Sequence, residues 1–315
     1  MIDIQESELV NGWNTNESIK VSVCCLTFNH EDYIEKALDS FLGQKTCFPF
    51  EIIIHDDAST DKTSSILLKY KRAFPNIVKI IIQKNNQQSI GIKVTKEFLW
   101  KEAIGEYIAL CDGDDYWSDN NKLQKQYNAL VINSNKDICF HDYEILANNR
   151  IKDNKRVFGS SLDKNKIVSV NSVIVGGGGY MLTSSILIRS SILKNLPDWF
   201  DTVINGDYFL QVLGSINNAV YLHEKMAVYR ELSKGSWTER FKNKNGEELK
   251  IFYSQSDKSM VLLRNHLPKK FAIVINYRRF LLNLSGIKNS VRAGAFKTSF
   301  YFIFKAMASI LNLYK

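Results

Sequence analysis

Short apolar runs that alternate with helical patterns are the feature that most constrains the fold of this 315-residue chain. The runs are rich in Val, Ile and Cys, and they predict strands at 20–26, 51–55, 77–82, 106–111 and 137–141. Between them, apolar residues recur at helical spacing in segments 31–42, 61–74, 93–103 and 120–133. Strands without a polar face, separated by helices, are typical of a mostly parallel sheet covered on both faces. The sequence therefore predicts an α/β fold.

Local signals refine these boundaries and extend them along the chain. Ser59 or Thr60 is the predicted N-cap of helix 61–74, and Pro75 ends that helix. The polar segment 148–166 predicts a loop, segments 185–196 and 207–213 predict helices, and 219–229 predicts strands. We divide the chain into a polar N-terminal extension (1–19), a main domain (20–240, with halves 20–117 and 118–240) and a basic helical region (241–315).

Polar residues follow three of the predicted strands, at the point where each strand ends. They are Thr27, Phe28 and Asn29 after the first strand, Asp56 and Asp57 after the second, and residues 112–115 after the fourth. Open α/β sheets bind ligands outside the carboxyl ends of their strands. We therefore expect the three clusters to lie together and to form a site of nucleotide-binding type.

The third cluster, Asp112-Gly113-Asp114-Asp115, places three carboxylates within four residues. Such crowding is costly unless a positive charge lies among the carboxylates. Clustered oxygen ligands suit Mg²⁺ or Mn²⁺, and a metal held by one or two carboxylates is typically completed by phosphates. The cluster thus predicts a site for a divalent cation and a diphosphate.

Three segments of the chain resemble a known family in order and spacing. They read VSVCCLTFNHEDYIEKALDSFLGQ, EIIIHDDASTDKT and GEYIALCDGDDYW, and two looser matches downstream read NGDYFL and VYRELSKGSW. Together they resemble the family 2 glycosyltransferases across residues 20–240. The resemblance implies a GT-A fold with a Rossmann-like, mostly parallel central sheet. It also implies inverting transfer of a sugar from a nucleotide-diphosphate sugar, with Mg²⁺ or Mn²⁺, in enzymes of bacterial surface-polysaccharide type.

The resemblance assigns the first two clusters to the nucleotide. Phe28 would stack on the base, with Leu26 and Thr27 beside it, and Asp57 would accept a hydrogen bond from the base next to Asp56. An alternative for both aspartates is an N-terminal cap of helix 61–74. Lys93 would approach the diphosphate, or it is an ordinary solvated lysine of its helix.

Asp112 and Asp114 match the family's Asp-x-Asp motif. Asp114 would bind the metal, Asp112 the ribose or the metal, and Gly113 the nucleotide. Asp115 is interpreted as a cap for the helix that follows Trp117. A cation at the β-phosphate stabilises the negative charge that develops on the leaving group.

Asp207 matches the family's catalytic base, which removes a proton from the acceptor hydroxyl in an inverting reaction. Apolar walls formed by Trp199, Phe200 and Tyr208 would raise its pKa. The alternative is an N-cap for helix 208–213. Tyr208 is also a candidate contact to the acceptor or the diphosphate.

The segment that resembles the family's closing motif departs from it at one position. Arg230 and Trp237 are candidate contacts to the acceptor or the diphosphate. Two residues after Arg230 the family commonly has a histidine, whereas this chain has Leu232. Arg230, Lys234 or His223 would have to compensate, although His223 is more simply a strand residue with a satisfied hydrogen bond.

Positive charge is concentrated at the end of the chain. Residues 258–315 carry eleven Lys or Arg and no Asp or Glu, whereas the whole chain has 41 basic and 33 acidic residues. An apolar stripe at helical spacing runs along this region: Phe296, Phe300, Ile303, Phe304, Met307, Leu311 and Tyr314. The helix either packs on its own domain or lies in an anionic membrane surface. Nucleic acid is not expected, since no RNA- or DNA-binding motif accompanies the charge.

These features lead to one functional hypothesis and an alternative. The chain would be an inverting glycosyltransferase that moves a hexose or N-acetylhexosamine from a nucleotide-diphosphate sugar, such as a UDP-sugar, to a glycan or lipid-linked acceptor in O-antigen or capsule synthesis. The alternative is a nucleotide-sugar-binding protein without transfer activity, or a nucleotidyltransferase. Five cysteines without a CxxC pair indicate reduced, buried thiols and a cytoplasmic location. The basic C-terminal region favours peripheral contact with the inner face of the cytoplasmic membrane.

Overall fold

The computed structural model describes residues 4–14, 17–148, 150–153, 165–233 and 236–311. The chain forms two compact units. The first comprises Met1–Val168, Met181–Leu196 and Asn217–Ser233, and the second comprises Ser169–Tyr180, Pro197–Ile216 and Lys234–Lys315. The chain thus enters the second unit three times, whereas the sequence predicted a boundary near residue 240. The domain limits at 19, 117 and 240 stay predictions.

The first unit holds the strands of the described chain in a single sheet. They are β1 Val21–Thr27, β2 Phe50–Asp56, β3 Val78–Ile82, β4 Tyr107–Leu110, β5 Tyr116–Trp117, β6 Ile138–Ala147, β7 Arg150–Asp153, β8 Lys166–Val168, β9 Leu187–Arg189 and β10 Ala219–Arg230. The strand order is β3-β2-β1-β4-β9-β6-β10-β5, with β7 on β6 and β8 on β10. The half β3-β2-β1-β4 is parallel, as predicted. The other half is mixed, because β6 and β10 are parallel to each other while β9 is antiparallel to both β4 and β6.

Helices occur in both units, and the second unit is built from helices. In chain order they are α1 Glu6–Val10, α2 Ile34–Leu42, α3 Thr63–Ala73, α4 Lys122–Ile132, α5 Val170–Gly176, α6 Ser190–Lys194, α7 Gly206–Gly214, α8 Trp237–Lys242, α9 Gly246–His266, α10 Ala272–Arg292 and α11 Phe296–Leu311. Single turns of 3₁₀ helix occur at Gln88–Ile90, Thr183–Ser185, Asp198–Thr202 and Lys269–Phe271, and Thr95–Trp100 is a π-helix.

The core of the first unit lies along β1 and β2. Every residue of β2 is buried, and in β1 only Leu26 is partly exposed. This burial explains why the central residues of the two strands, 23–26 and 52–54, are apolar without alternation. The N-terminal extension also contributes, since Leu9 of α1 is buried in the same core. Part of the segment predicted as a polar extension is therefore packed on the domain.

Three local predictions differ from the structure. Segment 185–196 is not one helix: it contains β9 and the short α6. Helix α3 begins after Lys62, which makes no side-chain cap, so neither Ser59 nor Thr60 is the N-cap. The predicted loop 148–166 contains β7 and the first residue of β8, and its residues 149 and 154–164 lie outside the described residues.

The second unit is helical, and α9, α10 and α11 form the predicted C-terminal helical extension. In α11, Phe302 is buried against Tyr253, with the two ring centroids 5.4 Å apart. The predicted apolar stripe faces away from this contact, because Phe296, Phe300 and Phe304 are 63–70% exposed. The side chain of Leu311, and Tyr314, lie outside the described residues. None of the described helices combines the length and apolarity that are needed to cross a membrane.

Candidate functional site

The carboxyl ends of β1, β2 and β4 bring the three predicted clusters together. Thr27 and Asp56 are paired in register at the ends of β1 and β2. The chain leaving β4 continues beside β1, because the Gly113 amide donates to the Leu26 carbonyl at 2.9 Å. The Asp57 amide likewise donates to the Thr27 carbonyl at 3.0 Å. We call this set of residues, 26–29, 56–57 and 112–115, the strand-end cluster.

Asp56 and Asp57 hold the loops around the strand-end cluster. Asp56 is fully buried and accepts hydrogen bonds from Ser59 and from the Ser64 hydroxyl. Asp57 is 1% exposed, and its two oxygens accept the backbone amides of Gln87 at 2.8 Å and Gln88 at 3.0 Å. Neither carboxylate caps α3, so the N-cap alternative is wrong. A role for Asp57 in binding a base stays a prediction.

Phe28 presents its ring to solvent from a well-anchored turn. The side chain is 41% exposed, which is unusual for a phenylalanine next to a buried strand. The following residue, Asn29, has a φ of 55°, in the left-handed region that asparagine tolerates better than most residues. Its side-chain oxygen accepts the Thr60 amide at 2.8 Å, and its own amide donates to Ser59 Oγ at 2.8 Å. The exposed ring therefore sits on a fixed backbone.

The carboxylates of the third cluster are held by distant parts of the first unit. Asp114 Oδ2 accepts a hydrogen bond of 2.6 Å from the Ser233 hydroxyl. Asp115 Oδ1 accepts the Arg230 amide at 2.9 Å, and its Oδ2 accepts the Ser184 hydroxyl at 3.2 Å. Asp115 therefore ties the cluster to the end of β10, and its interpretation as a helix cap is wrong.

The pKa of Asp115 reflects the burial and the close approach of the carboxylates in segment 112–115. Asp115 is 4% exposed, and burial raises its pKa well above the usual range of a carboxyl group. The neighbouring charges of Asp114 and Asp112 raise it further, while the bonds from Arg230 and Ser184 lower it. A cation near Asp112 and Asp114 would relieve this repulsion.

Gly113 lies in tight contact with two polar side chains. A Cβ at this position would lie 2.8 Å from Thr27 Oγ1 and 2.9 Å from His30 Nδ1, so a larger residue would displace one of them. Both atoms are buried without a hydrogen-bond partner in the part of the chain that the structure describes. Burial lowers the pKa of His30, against the nearby charges of Asp114, Asp61 and Asp56. Sequence reasoning missed His30, although its place three residues after the end of β1 was a usable signal.

The closing segment surrounds the position of the missing histidine. The Arg230 guanidinium lies over the rings of Tyr33 at 5.2 Å and Tyr116 at 5.1 Å. Leu232 has a φ of 60° and is 44% exposed. His223 lies 3.4 Å from Asp142, and its amide donates to Asn165 at 2.8 Å, so it is a strand residue with satisfied partners. Lys234 lies outside the described residues.

The donor set fits a cation that is completed by the oxygens of a ligand. Among the described residues, no group of three or more His, Cys, Asp or Glu side chains is arranged to hold a metal ion. Asp112 and Asp114 remain as half-buried carboxylates at one point of the cluster. One or two carboxylates, with phosphates as the other ligands, are the usual set for Mg²⁺. The residues present therefore fit a metal bound together with a diphosphate.

The remaining predicted residues are Lys93 in the first unit and Asp207 in the second. Lys93 is half-buried and precedes the π-helix Thr95–Trp100 instead of lying within a helix. In the second unit, Asp207 is the second residue of α7 and Asn205 is the cap residue, so the N-cap alternative for Asp207 is wrong. A carboxylate in the first turn of a helix is still favoured by the helix dipole.

The aromatic residues around Asp207 have well-defined contacts in the second unit. The Phe200 ring lies 3.4 Å from the position that a Cβ on Gly206 would take. Trp199 packs against Phe209, with the ring centroids 5.7 Å apart. Tyr208 is buried, its hydroxyl donates to the Ile174 carbonyl at 3.0 Å, and burial raises its pKa. Trp237, by contrast, is 51% exposed at the start of α8.

A half-parallel sheet with carboxylates at its strand ends defines the chain as an α/β protein of the type that binds ligands at that edge. The chain belongs to glycosyl transferase family 2, whose sequence profile matches residues 22–186. The family resemblance predicted from the sequence is confirmed. The roles of the individual site residues stay predictions.

The chain is similar to proteins of several bacteria. It is 34% identical to the uncharacterised protein Mb1547 of Mycobacterium bovis over 218 residues, which are 69% of this chain and 60% of that protein. It is also 34% identical over 133 residues to TuaG of Bacillus subtilis, a putative teichuronic acid biosynthesis glycosyltransferase, covering 42% of this chain and 50% of TuaG. The chain thus spans less than two thirds of the length of these relatives.

A solved structure shows the fold. Residues 1–349 of TarS from Staphylococcus aureus, in complex with UDP-GlcNAc, superimpose with a TM-score of 0.64 at 18% sequence identity. The match covers 94% of this chain and 89% of the TarS chain. The GT-A fold predicted from the sequence is therefore confirmed.

Proposed function

We propose that this protein is an inverting glycosyltransferase of surface-polysaccharide synthesis. It transfers a hexose or N-acetylhexosamine from a UDP-sugar or related donor to a hydroxyl of a glycan or lipid-linked oligosaccharide, as in O-antigen or capsule assembly. The observation that carries the proposal is the strand-end cluster, which places an exposed aromatic ring beside crowded carboxylates in a chain of family 2. The complex of TarS with UDP-GlcNAc and the name of TuaG support the donor and the pathway class.

The strand-end cluster binds the donor nucleotide in this proposal. The exposed Phe28 ring stacks on the base, and the backbone of Leu26 and Thr27 forms the floor below it. Asp57, already fixed by two backbone amides, has lone pairs left to accept a hydrogen bond from the base. Gly113 lets the diphosphate approach the backbone, because any side chain there would collide with Thr27 and His30.

Asp112 and Asp114 would hold Mg²⁺ or Mn²⁺ at the diphosphate of the donor. The bound cation would supply positive charge to the β-phosphate oxygens as the glycosidic bond breaks. The chain's own contribution is to fix the carboxylates before the donor arrives. The hydrogen bond from Ser233 orients Asp114, and the half-buried Arg230 adds positive charge beside Tyr33 and Tyr116.

Asp207 is the catalytic base in this proposal. Its carboxylate removes the proton of the acceptor hydroxyl while that oxygen attacks the anomeric carbon opposite the leaving diphosphate. The aromatic residues Trp199, Phe200 and Tyr208 belong to the same unit and restrict water near the base. Exposed Trp237 contacts the acceptor.

Replacing the base tests the proposal. Asp207→Asn keeps the size of the side chain and removes its basicity, so transfer should fall by about 10²–10⁴-fold while donor binding is retained. Asp198→Asn, an exposed aspartate of the same unit, is the matched control and should transfer normally. Transfer is measured with a panel of nucleotide sugars, with and without Mn²⁺.

The same experiment separates the alternatives. A nucleotidyltransferase reacts at phosphorus and needs no acceptor base at Asp207, so the Asp207→Asn variant would keep its turnover. A nucleotide-sugar-binding protein without transfer activity would show donor binding but no product in the wild type. Either result would overturn the assignment.

The C-terminal helices place the enzyme at the inner face of the cytoplasmic membrane in this proposal. Phe296, Phe300 and Phe304 form an exposed face of α11, with Met307 57% exposed on the same helix. The region 258–315 has an excess of positive charge. An apolar face flanked by Lys and Arg is typical of a helix that lies in an anionic lipid surface.

A further inference from the structure

The helical unit contains an open pocket of about 420 Å³ that has no assigned role. It lies between the turn before α7 and the helices α8 and α9. Its lining includes Asn205 from that turn, Trp237, Arg240 and Phe241 from α8, and Lys244 after α8. All of these residues belong to the second unit, so the pocket is formed within one compact body.

One wall of the pocket is an aromatic platform. The Trp237 ring is stacked on Phe241, with centroids 4.8 Å apart and planes inclined by 17°. Phe252 supports Phe241 edge-on at 4.9 Å. Trp237 is nevertheless 51% exposed. A rigid, exposed aromatic face is well suited to pack against the C–H bonds of a sugar or a polyol. Because neighbouring rings already hold it in place, little conformational entropy is lost when the ligand binds.

The pocket lining also carries a net positive charge. Arg240 and Lys244 both line it, and neither forms an ion pair with any carboxylate of the described chain. The lining also contains one acid, Glu248, which accepts the Asn245 amide at 2.8 Å in the capping box of α9, so the lining keeps an excess of one positive charge. An Arg and a Lys that face one cavity are the usual means of binding a phosphate.

The pocket is linked to the turn that carries Asp207. Asn205 lines the pocket, occupies the N-cap position of α7 without a side-chain capping bond, and precedes Asp207 by two residues. Its side-chain amide donates to Ser256 of α9 at 3.4 Å, which ties the turn to the pocket wall. A ligand held on the aromatic platform would therefore present its hydroxyls toward the segment that carries the base.

We propose that this pocket is an acceptor subsite for a phosphate-bearing sugar or polyol. The carbon skeleton lies on Trp237, and the phosphate lies between Arg240 and Lys244. The inference rests on the proposed function in one respect, the role of Asp207 as the base. The recognised chemistry is a phosphate joined to a polyhydroxylated carbon skeleton, whether it is free or a unit of a phosphodiester polymer.

Binding measurements test the pocket without turnover. Titration calorimetry on the full chain uses glucose 6-phosphate, glucose and inorganic phosphate as probes. The double variant Arg240→Gln/Lys244→Gln should lower the affinity for glucose 6-phosphate on the order of tenfold and leave that for glucose unchanged. Trp237→Ala should lower the affinity for glucose 6-phosphate and for glucose, and leave the affinity for inorganic phosphate unchanged. The double variant Lys258→Gln/Lys269→Gln removes two exposed charges of the same unit outside the pocket and should bind like the wild type.

Three results would overturn the proposal. Equal affinity for glucose 6-phosphate in the wild type and the Arg240/Lys244 variant would show that these two residues do not bind the phosphate. An equal loss in the Lys258/Lys269 control would show non-specific attraction. Binding of phosphatidylglycerol vesicles that depends on Arg240 and Lys244, without preference for glucose 6-phosphate over glucose, would identify a lipid headgroup site instead. A failure of the glycosyltransferase assignment is seen separately, as unchanged transfer by the Asp207→Asn variant.

Discussion

The Ser233 hydroxyl donates a hydrogen bond of 2.6 Å to Asp114 Oδ2, across 119 residues of sequence. The next contact along the same segment joins the Arg230 amide to Asp115 Oδ1 at 2.9 Å. The end of β10 and the residues just after it therefore fix two of the three carboxylates in segment 112–115. A carboxylate that is oriented in advance loses less entropy when it takes up a ligand.

Ser233→Ala should weaken binding of the donor. Without the hydroxyl, Asp114 keeps its charge but loses the contact that orients it, so the affinity for UDP in the presence of Mn²⁺ should fall about fivefold. Titration of UDP at fixed Mn²⁺ measures the effect. Ser233→Thr, which retains a hydroxyl, is the control and should bind more tightly than the alanine variant. Equal affinities in all three proteins would show that the hydrogen bond does not position Asp114 for the ligand.

Leu232→His should tighten metal binding. Leu232 is half-exposed, next to Ser233, and its φ of 60° is a conformation that histidine and asparagine adopt more readily than leucine. An imidazole there would add a ligand to a site that has only carboxylates, so the Kd for Mn²⁺ should fall about tenfold. Electron paramagnetic resonance of Mn²⁺ in the presence of UDP measures it.

Leu232→Asn separates the backbone effect from the ligand effect. Asparagine adopts the left-handed backbone conformation of residue 232 with less strain than leucine does, as histidine also would. Its amide is a weaker metal ligand than an imidazole. Asparagine should raise the thermal stability of the protein as much as histidine does, with little change in Mn²⁺ affinity. If both variants bind Mn²⁺ like the wild type, position 232 does not face the metal.

The strand-end cluster was predictable because its signal is local. An apolar run ends, and Asp56, Asp57 or residues 112–115 follow at once, so a reader of the sequence knows which edge of a parallel sheet they occupy. Ser233 and Ser184 had no such signal. Each reaches a carboxylate of the cluster through pairing of strands that are more than 60 residues apart in sequence. Small hydroxyl side chains of this kind carry no pattern until the fold is known.

The wrong helix at 185–196 has a related cause. Leu187 and Ile188 fit a helical pattern, yet they pair with Ala109 and Ile108 of β4 and with residues of β6. A strand of three residues that is buried on both sides has no periodicity of its own. The mixed half of the sheet, in which this strand joins β4 to β6, could therefore not be predicted from the sequence.

Lys122→Met should stabilise the protein and flatten its pH dependence. Lys122 is fully buried, its Nζ lies 4.0 Å from the centre of the Trp117 ring, and burial lowers its pKa to about 7. The unfolded chain has a lysine pKa of about 10.4, so between about pH 7 and 10.4 it binds more protons than the native protein. The free energy of unfolding of the wild type should therefore rise with pH across this window, and lose this dependence below about pH 7.

Urea unfolding of both proteins from about pH 6 to pH 10 measures this dependence. Methionine has a similar shape and no charge, so the variant should be more stable than the wild type at pH 7 by about 1–4 kcal/mol. Lys45→Met, at an exposed lysine of the same unit, should leave both stability and slope unchanged. A wild-type slope that survives in the Lys122→Met protein would assign the pH dependence to other groups.

Phe300→Ser combined with Phe304→Ser should release the protein from anionic membranes. Both rings are at least 63% exposed on α11, and they face away from the contact that Phe302 makes with Tyr253. The pair should lower partitioning onto vesicles that contain phosphatidylglycerol on the order of tenfold, since two apolar anchors are lost. Sedimentation with vesicles measures the bound fraction.

A control double variant and the salt dependence of vesicle binding show whether α11 binds an anionic membrane. Ile90→Ser with Ile132→Ser removes two exposed apolar side chains from the other unit and should bind vesicles like the wild type. Because the positive charge of residues 258–315 adds electrostatic attraction, binding should weaken as salt shortens the Debye length from about 10 Å at 0.1 M to about 3 Å at 1 M. If the wild-type protein does not bind phosphatidylglycerol vesicles at low salt, the proposed membrane contact of α11 is wrong and its exposed face would instead serve protein contacts. The enzyme would then need another route to a lipid-linked acceptor.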